Sequence, residues 1–292
     1  TFVRIGGGNL KSIVIMITMS IGAYLMIFTN FGYNVFLQWT GVFDVDLTNL
    51  DINSQDLGAL SAAILPTDAY NNKIILGLLI SITGLWFLFS KKDFRSDKHI
   101  ITSGIVIGVC VSIVWYLTAG SMGQELLEEA EMIDDVPFGL GAQSLTFTSP
   151  YAHLVQLINT NFDLVYLTFP LAGGAGVLLG SFAYSIINRS FRIEWFNSIA
   201  DFINHLLSGF LMGIGGVLAM GCTIGQGITG VSTLSLGSFI ALGSIIFGSA
   251  LTMKIRYYKL VYEKEANIFT AIMASLADMK VIPNRWRYLD HV

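Results

Sequence analysis

In a chain of 292 residues, 53% hydrophobic and 12% charged residues with a mean hydropathy of +0.66 exclude an ordinary soluble domain, where about a quarter of residues are charged. Two cysteines, Cys110 and Cys222, both in apolar runs, argue against a disulfide framework or a zinc site. The net charge of −4 gives no nucleic-acid signature, and its distribution matters more than its size.

Thr1 to Lys11 reads TFVRIGGGNLK. Its three glycines suit a concave set of N–H groups, with Asn9 placed to cap the following helix, or simply a flexible lead-in. Ser12 to Thr29 is the first apolar run, close to the roughly 20 residues that a membrane span needs. The segment 30–72 carries Asp44, Asp46, Asp51, Asp56 and Asp68, no Arg, and no Lys within it; Lys73 follows at the mouth of the next span. Asp56 to Leu65 reads as a short interfacial helix. Ile74 to Ser90 and Ile100 to Ala119 are the second and third spans, joined by the basic loop KKDFRSDK.

The segment 120–161 is again acidic, with Glu125, Glu128, Glu129, Glu131, Asp134 and Asp135. Leu164 to Ile187 is the fourth span, and its AGGAGVLLG patch would admit another helix closely. A glycine-rich element runs from Leu206 to about Ser235, then a last span, Leu236 to Met253, and a basic tail beginning KIRYYK.

Fifteen of the sixteen Lys and Arg fall on the N-terminus, the 91–98 loop, residues 188–205 and the tail; Lys73 is the exception. The positive-inside rule puts these segments in the cytoplasm and the acidic segments 30–72 and 120–161 outside, as solvated faces. Six crossing elements then leave both ends of the chain cytoplasmic. The reading is one multi-pass membrane domain over residues 1–292, with a cytoplasmic basic tail at 254–292. Apolar residues at helical spacing in that tail (Ile268, Ile272, Met273, Leu276) suit a helix on the membrane or against a neighbour.

The element around which everything turns is GFLMGIGGVLAMGCTIGQGITGVSTLSLGS, Gly209 to Ser238. Each interior glycine costs a helix roughly 1 kcal/mol against alanine. Irregular polar backbone at membrane depth survives only inside protein or along a cavity. The expectation is a broken helix around a small polar site made by Gly221, Cys222, Thr223, Gly225, Gln226, Gly227, Thr229 and Ser232. No ionised side chain lies within the spans away from their ends, so an anion there would be held by neutral donors and a helix N-terminus. The bland alternative is that Cys222 is a small buried residue and the glycines are packing contacts. Cys110 reads as packing, and His99, His153, His205 and His291 show no ligand spacing. Pairing Asn9-Leu10 with Thr233-Leu234 also pairs Gly6 with Gly230, which suggests an internal repeat.

GGVLAMGCTIGQGITGVSTLSLGS closely resembles the signature of the YeeE/YedE family, sulphur-transport-domain membrane proteins that include thiosulfate transporters. FVRIGGGNLKS resembles the family's other marked segment, and SLTFTSP and GVLLGSFAYSIINRSFRIEWF also look like family sequence. The resemblance implies an all-α polytopic fold of two pseudo-symmetric halves whose broken or re-entrant helices meet at a central site. It further implies passage of thiosulfate by transient hydrogen bonds to cysteine thiols, with no cofactor and no metal. Carried over, Cys222 is the C-terminal-half cysteine, with Gly221, Thr223, Gly225, Gln226 and Gly227 as its loop. Arg4, Gly6, Gly7, Gly8, Asn9 and Lys11 match the N-terminal segment.

The family's N-terminal-half cysteines have no counterpart here. By the repeat offset, the partner of Cys222 falls before Thr1, so the native protein is expected to extend upstream with at least one membrane segment and one Cys. The function expected is an inner-membrane permease, in bacteria, for thiosulfate or a related small sulfur-containing anion. It is set among membrane lipids and would supply a cytoplasmic sulfur carrier of the TusA type. The alternative is a non-transporting structural or accessory subunit of a larger membrane complex, with the acidic segments and tail as docking surfaces. An enzyme is disfavoured, since the sequence holds no cofactor motif, paired carboxylate or His–Cys arrangement.

Overall fold

A computed structural model describes residues 1–41, 47, 52, 54–65, 67–132, 139–262 and 267–286. Asp44, Asp46, Asp51, Asp134 and Asp135 lie outside the described residues, as do 263–266 and 287–292 of the tail. In chain order the helices are α1 (Phe2–Gly6), α2 (Lys11–Phe28), α3 (Leu57–Ile64), α4 (Ala69–Ser90), α5 (Lys98–Ala119) and α6 (Ser121–Ala130). They continue with α7 (Ser149–Asn159), α8 (Phe169–Ile187), α9 (Ile199–Leu218), α10 (Leu236–Val261) and α11 (Ile268–Asp278). The described residues hold two isolated bridges and no named β-strand. Helices α2, α4, α5, α8, α9 and α10 are long and apolar enough to cross a membrane, so the chain is an all-α, multi-pass membrane protein.

The spans begin where side chains can cap them. Asp68 accepts from the Asn71 N–H at 3.4 Å and starts α4, and Asp97 accepts from His99 and Ile100 at 2.9 and 3.2 Å and starts α5. Ser198 accepts from Asp201 at 3.1 Å and starts α9. A short polar acceptor at this position satisfies a helix-end N–H worth about 1 kcal/mol. These caps place the helix starts five, two and seven residues before the apolar runs at Ile74, Ile100 and Leu206. The fourth span begins later than the run at Leu164 does. Leu164–Tyr166 forms a 3₁₀ turn, and Pro170, which lacks an N–H, sits in the first turn of α8.

Two compact units divide the chain, Thr1–Leu236 and Gly237–Val292. In the first, α2 and α9 pack backbone to backbone. A Cβ added at Gly22 would lie 2.6 Å from the Phe210 carbonyl, and one at Gly213 would overlap the Met19 carbonyl and lie 2.9 Å from the Ala23 nitrogen. Glycine is required at this crossing because nothing larger fits between the two chains. Helix α7 lies against α2, with Asn159 donating to the Tyr24 hydroxyl at 3.2 Å. It falls inside the segment 120–161 and buries Pro150, Tyr151, Ala152, His153 and Leu157.

Helix α1 lies on α8, whose Ser181 and Ser185 hydroxyls donate to the Val3 and Gly6 carbonyls at 2.6 and 2.9 Å. Helix α3 joins α4 through Asp56 and Lys73, 3.3 Å apart. No residue of α4 is buried.

In the second unit α10 continues past Met253 to Val261, so KIRYYK extends the helix rather than opening a tail. Asp278 of α11 holds this end. It pairs with Lys254 at 3.2 Å and accepts from the Tyr258 hydroxyl at 2.8 Å. Helix α11 buries its small face, Ala271, Ala274, Ser275 and Ala277, and not the larger apolar residues, of which Ile268 is exposed.

Candidate functional site

The break falls between α9 and residue 223. Leu218 is the last helical residue, and Ala219, Met220 and Gly221 close the end. The Gly221 N–H donates to the Gly216 carbonyl at 2.8 Å and the Met220 N–H to the Val217 carbonyl at 2.9 Å. This double bond across the last turn is a Schellman cap, with Met220 in the left-handed position at φ 54°. Gly221 follows at φ 158°, beyond what a side chain readily accepts. The chain then turns back into helix over 223–232, widening to a π-turn at Gly225–Gly230. A second reversal at Leu234, φ 61°, precedes α10.

Cys222 therefore stands at the start of a helix, half-buried. The first-turn N–H groups of residues 223–225 have no acceptor within that helix, and its dipole favours negative charge at this end. The Gln226 side chain turns back and donates to the Ala219 carbonyl at 2.6 Å, while its backbone N–H reaches the Cys222 carbonyl at 2.8 Å. Thr229 donates to the Leu145 carbonyl at 2.8 Å. Ser232 donates to the Thr229 carbonyl at 2.6 Å and accepts from the Trp115 indole of α5 at 3.1 Å. The hydroxyls of Thr229 and Ser232 thus brace the break. Thr223 is exposed beside Cys222. Gly225 carries no side chain where the Thr146 hydroxyl comes in, 3.0 Å from the place of a Cβ.

Gly6, Gly7, Gly8 and Asn9 have a different set of partners. The N–H groups of Gly7, Gly8 and Asn9 donate to the carbonyls of Val3, Ile5 and Arg4, so they end α1 rather than forming an open nest. The Gly7 and Gly8 carbonyls accept from Arg192 and Glu194 at 3.0 and 3.3 Å. Gly8 takes φ 96°, and a Cβ there would strike the Arg192 carbonyl. The Asn9 side chain accepts from the Ser12 N–H at 3.0 Å, capping α2, and donates to Glu194.

SLTFTSPY, residues 144–151, whose first seven residues resemble family sequence but were given no part in the site, lies along the break. Leu145, Thr146 and Thr148 meet Thr229, Gly225 and Gly216. Phe2 of α1 stacks on Tyr151 with ring centres 5.1 Å apart. Burial, and secondarily the neighbouring Cys222, push the Tyr151 hydroxyl well above its ordinary range. The signal was present in the sequence as a Ser/Thr cluster followed by Pro150, the mark of a helix start.

The sulphur transport family model matches residues 1–251. The thiosulfate transporter TsuA of Escherichia coli (strain K12) is 26% identical over 155 residues, which are 53% of this chain and 38% of the transporter. The thiosulfate transporter TsuA of Spirochaeta thermophila is 24% identical over 252 residues, 84% of this chain and 68% of that protein. The chain thus matches well under half the length of the first relative and about two thirds of the second.

Proposed function

We propose, from the premise that the chain belongs to the sulphur transport family, that it is a permease for thiosulfate or a related small sulfur-containing anion. The path we assign runs past Cys222 among Gly221, Gly225 and Gly227. The observation that carries this reading is the break itself: a half-buried thiol at the N-terminus of a helix, in the stretch between the membrane-spanning helices α9 and α10. An anion entering apolar protein must replace its water shell. The thiol, the adjacent backbone N–H groups and the Thr223 hydroxyl supply neutral donors.

Gly6, Gly7, Gly8 and Asn9 are proposed to shape the same path from the other half, with α1 linked to it through Phe2. The distribution of Lys and Arg supports both ends of the chain being cytoplasmic; an inner-membrane location and delivery to a TusA-like sulfur carrier are part of the same proposal.

The test is uptake of labelled thiosulfate into cells lacking their own sulfate and thiosulfate permeases, comparing the full-length gene with Cys222→Ala at matched membrane expression. Uptake lost in the variant is expected. No uptake from a well-expressed wild type would overturn the permease. The bare surface of α4 favours the accessory-subunit reading in that case, and stoichiometric co-purification of a partner would select it.

A further inference from the structure

Thr148 is the N-cap residue of α7, yet its hydroxyl caps nothing. Thr148 is 2% exposed, and its Oγ1 is buried without a hydrogen-bond partner. Ser144, four residues earlier and also 2% exposed, carries a second such oxygen. A buried hydroxyl without a partner is a net cost to a fold, and both fall in the stretch that lines the break.

The surroundings say what kind of partner is owed. Thr148 faces α9 at Gly216, where its Oγ1 lies 2.8 Å from the place of a Cβ. The Gly216 carbonyl holds Gly221, the residue before Cys222. Tyr151 lies one turn along α7, on the same face, and its hydroxyl feels Cys222. The first turn of α7 therefore looks onto the Cys222 turn. Helix α7 has 11 residues, long enough for a developed positive end. The start of α7 is thus brought against the last turn of α9, which holds the Cys222 turn. The donors left over at this start of α7 are the two hydroxyls, since Pro150 has no N–H and the Tyr151 N–H donates to the Thr148 carbonyl at 3.2 Å.

We propose that the Thr148 and Ser144 hydroxyls and the N-terminus of α7 form an oxyanion seat facing Cys222, taking the oxygen end of a small tetrahedral sulfur anion while Cys222 meets the other end. The proposal rests on the reading of the Cys222 break as an anion path and adds a second wall to it. An oxyanion accepts both hydroxyl protons and so removes the cost they carry in the empty protein.

The test is direct binding of thiosulfate, and of sulfate for comparison, to the full chain in lipid nanodiscs. Wild type, Thr148→Val, Thr148→Ser and Ser144→Ala would be compared, each with its melting temperature. Valine keeps the shape of threonine and removes only the hydroxyl. Thr148→Val is expected to weaken thiosulfate binding about ten-fold or more, as losing a hydrogen bond to a charged group does, without lowering the melting temperature. Ser144→Ala should act in the same direction, and Thr148→Ser, which keeps the donor, should bind as wild type does.

Binding unchanged in Thr148→Val and Ser144→Ala would overturn the seat. So would a wild type that binds neither anion. A fall in melting temperature as large in Thr148→Val as in a core truncation would also overturn it, by showing a structural partner. Binding that depends on Thr148 in a protein without uptake would uphold the seat and remove the permease.

Discussion

The Gln226 side-chain amide donates to the Ala219 carbonyl at 2.6 Å across the turn that carries Cys222, and its backbone N–H reaches the Cys222 carbonyl at 2.8 Å. One residue thus ties the end of α9 to the start of the next helix. Gln226→Glu would set a carboxylate against a carbonyl and add negative charge beside the proposed anion path. Uptake is expected to fall to background in Gln226→Glu and by roughly three- to ten-fold in Gln226→Ala, the loss of about one hydrogen bond. Matched rates in Gln226→Glu and wild type would show that the brace does not shape the path.

The two cysteines separate cleanly by position. Cys110 is exposed on α5 rather than packed, whereas Cys222 is half-buried at a helix start. Cys110→Ala is expected to leave thiosulfate uptake within two-fold of wild type, a difference of about 0.4 kcal/mol at most. Cys222→Ser, which keeps a donor, should retain more uptake than Cys222→Ala. The check is the order of rates among the three variants at equal expression. Loss in Cys110→Ala equal to that in Cys222→Ala would mean that the thiol's place in the break confers nothing.

Neighbouring glycines of α9 should respond in opposite ways. At Gly213 a Cβ would meet the Met19 carbonyl and the Ala23 nitrogen of α2, while at Gly215 nothing lies within 4 Å. Gly213→Ala must push two helix backbones apart and is expected to cost about 2 kcal/mol or more. Gly215→Ala gains helix propensity and should be neutral or stabilising by roughly 0.5–1 kcal/mol. Melting of the two purified variants in the same detergent checks this. Equal melting temperatures would count against the close approach of α2 and α9.

The six spans were legible because a membrane demands long apolar runs, and each run became a helix. The break was legible because GCTIGQG combines glycines and polar groups where neither suits a buried helix. What escaped was α7. Its 11 residues mix Ser, Tyr, His, Gln and Asn with six apolar ones, too short and too polar a run for hydropathy to mark, and the five it buries are covered only once the chain folds. The roles of Thr229 and Ser232 were also hidden. Both looked like ligand donors, yet their hydroxyls bond the Leu145 and Thr229 carbonyls, and only the fold brings Leu145 to Thr229. The glycines at 6 and 8 suited either a nest or a flexible lead-in, but what fixes them is contact with Ser181–Phe182 and with Arg192.

Acid should loosen one end of the break. Asp56 caps α3 by accepting from the Ala59 N–H at 3.0 Å, pairs with Lys73 at 3.3 Å and forms an antiparallel bridge with Ser235, just after the Leu234 reversal. Burial works to raise the Asp56 carboxyl, but the Ala59 N–H, the Ser54 hydroxyl and the Lys73 charge outweigh it and hold the group below its ordinary value. A depressed carboxylate contributes stability that is present above its unfolded value, near pH 4, and is lost as pH falls through the folded value. Wild type is therefore expected to lose melting temperature on going from pH 6 towards pH 3 by more than Asp56→Asn, which has no charge to lose. Asp56→Ala, lacking the cap, should be less stable than wild type at pH 7 by about 1 kcal/mol. Melting curves of the three proteins across that range decide it: parallel pH profiles for wild type and Asp56→Asn would mean that the Asp56 charge does not hold α3 to the end of the broken segment.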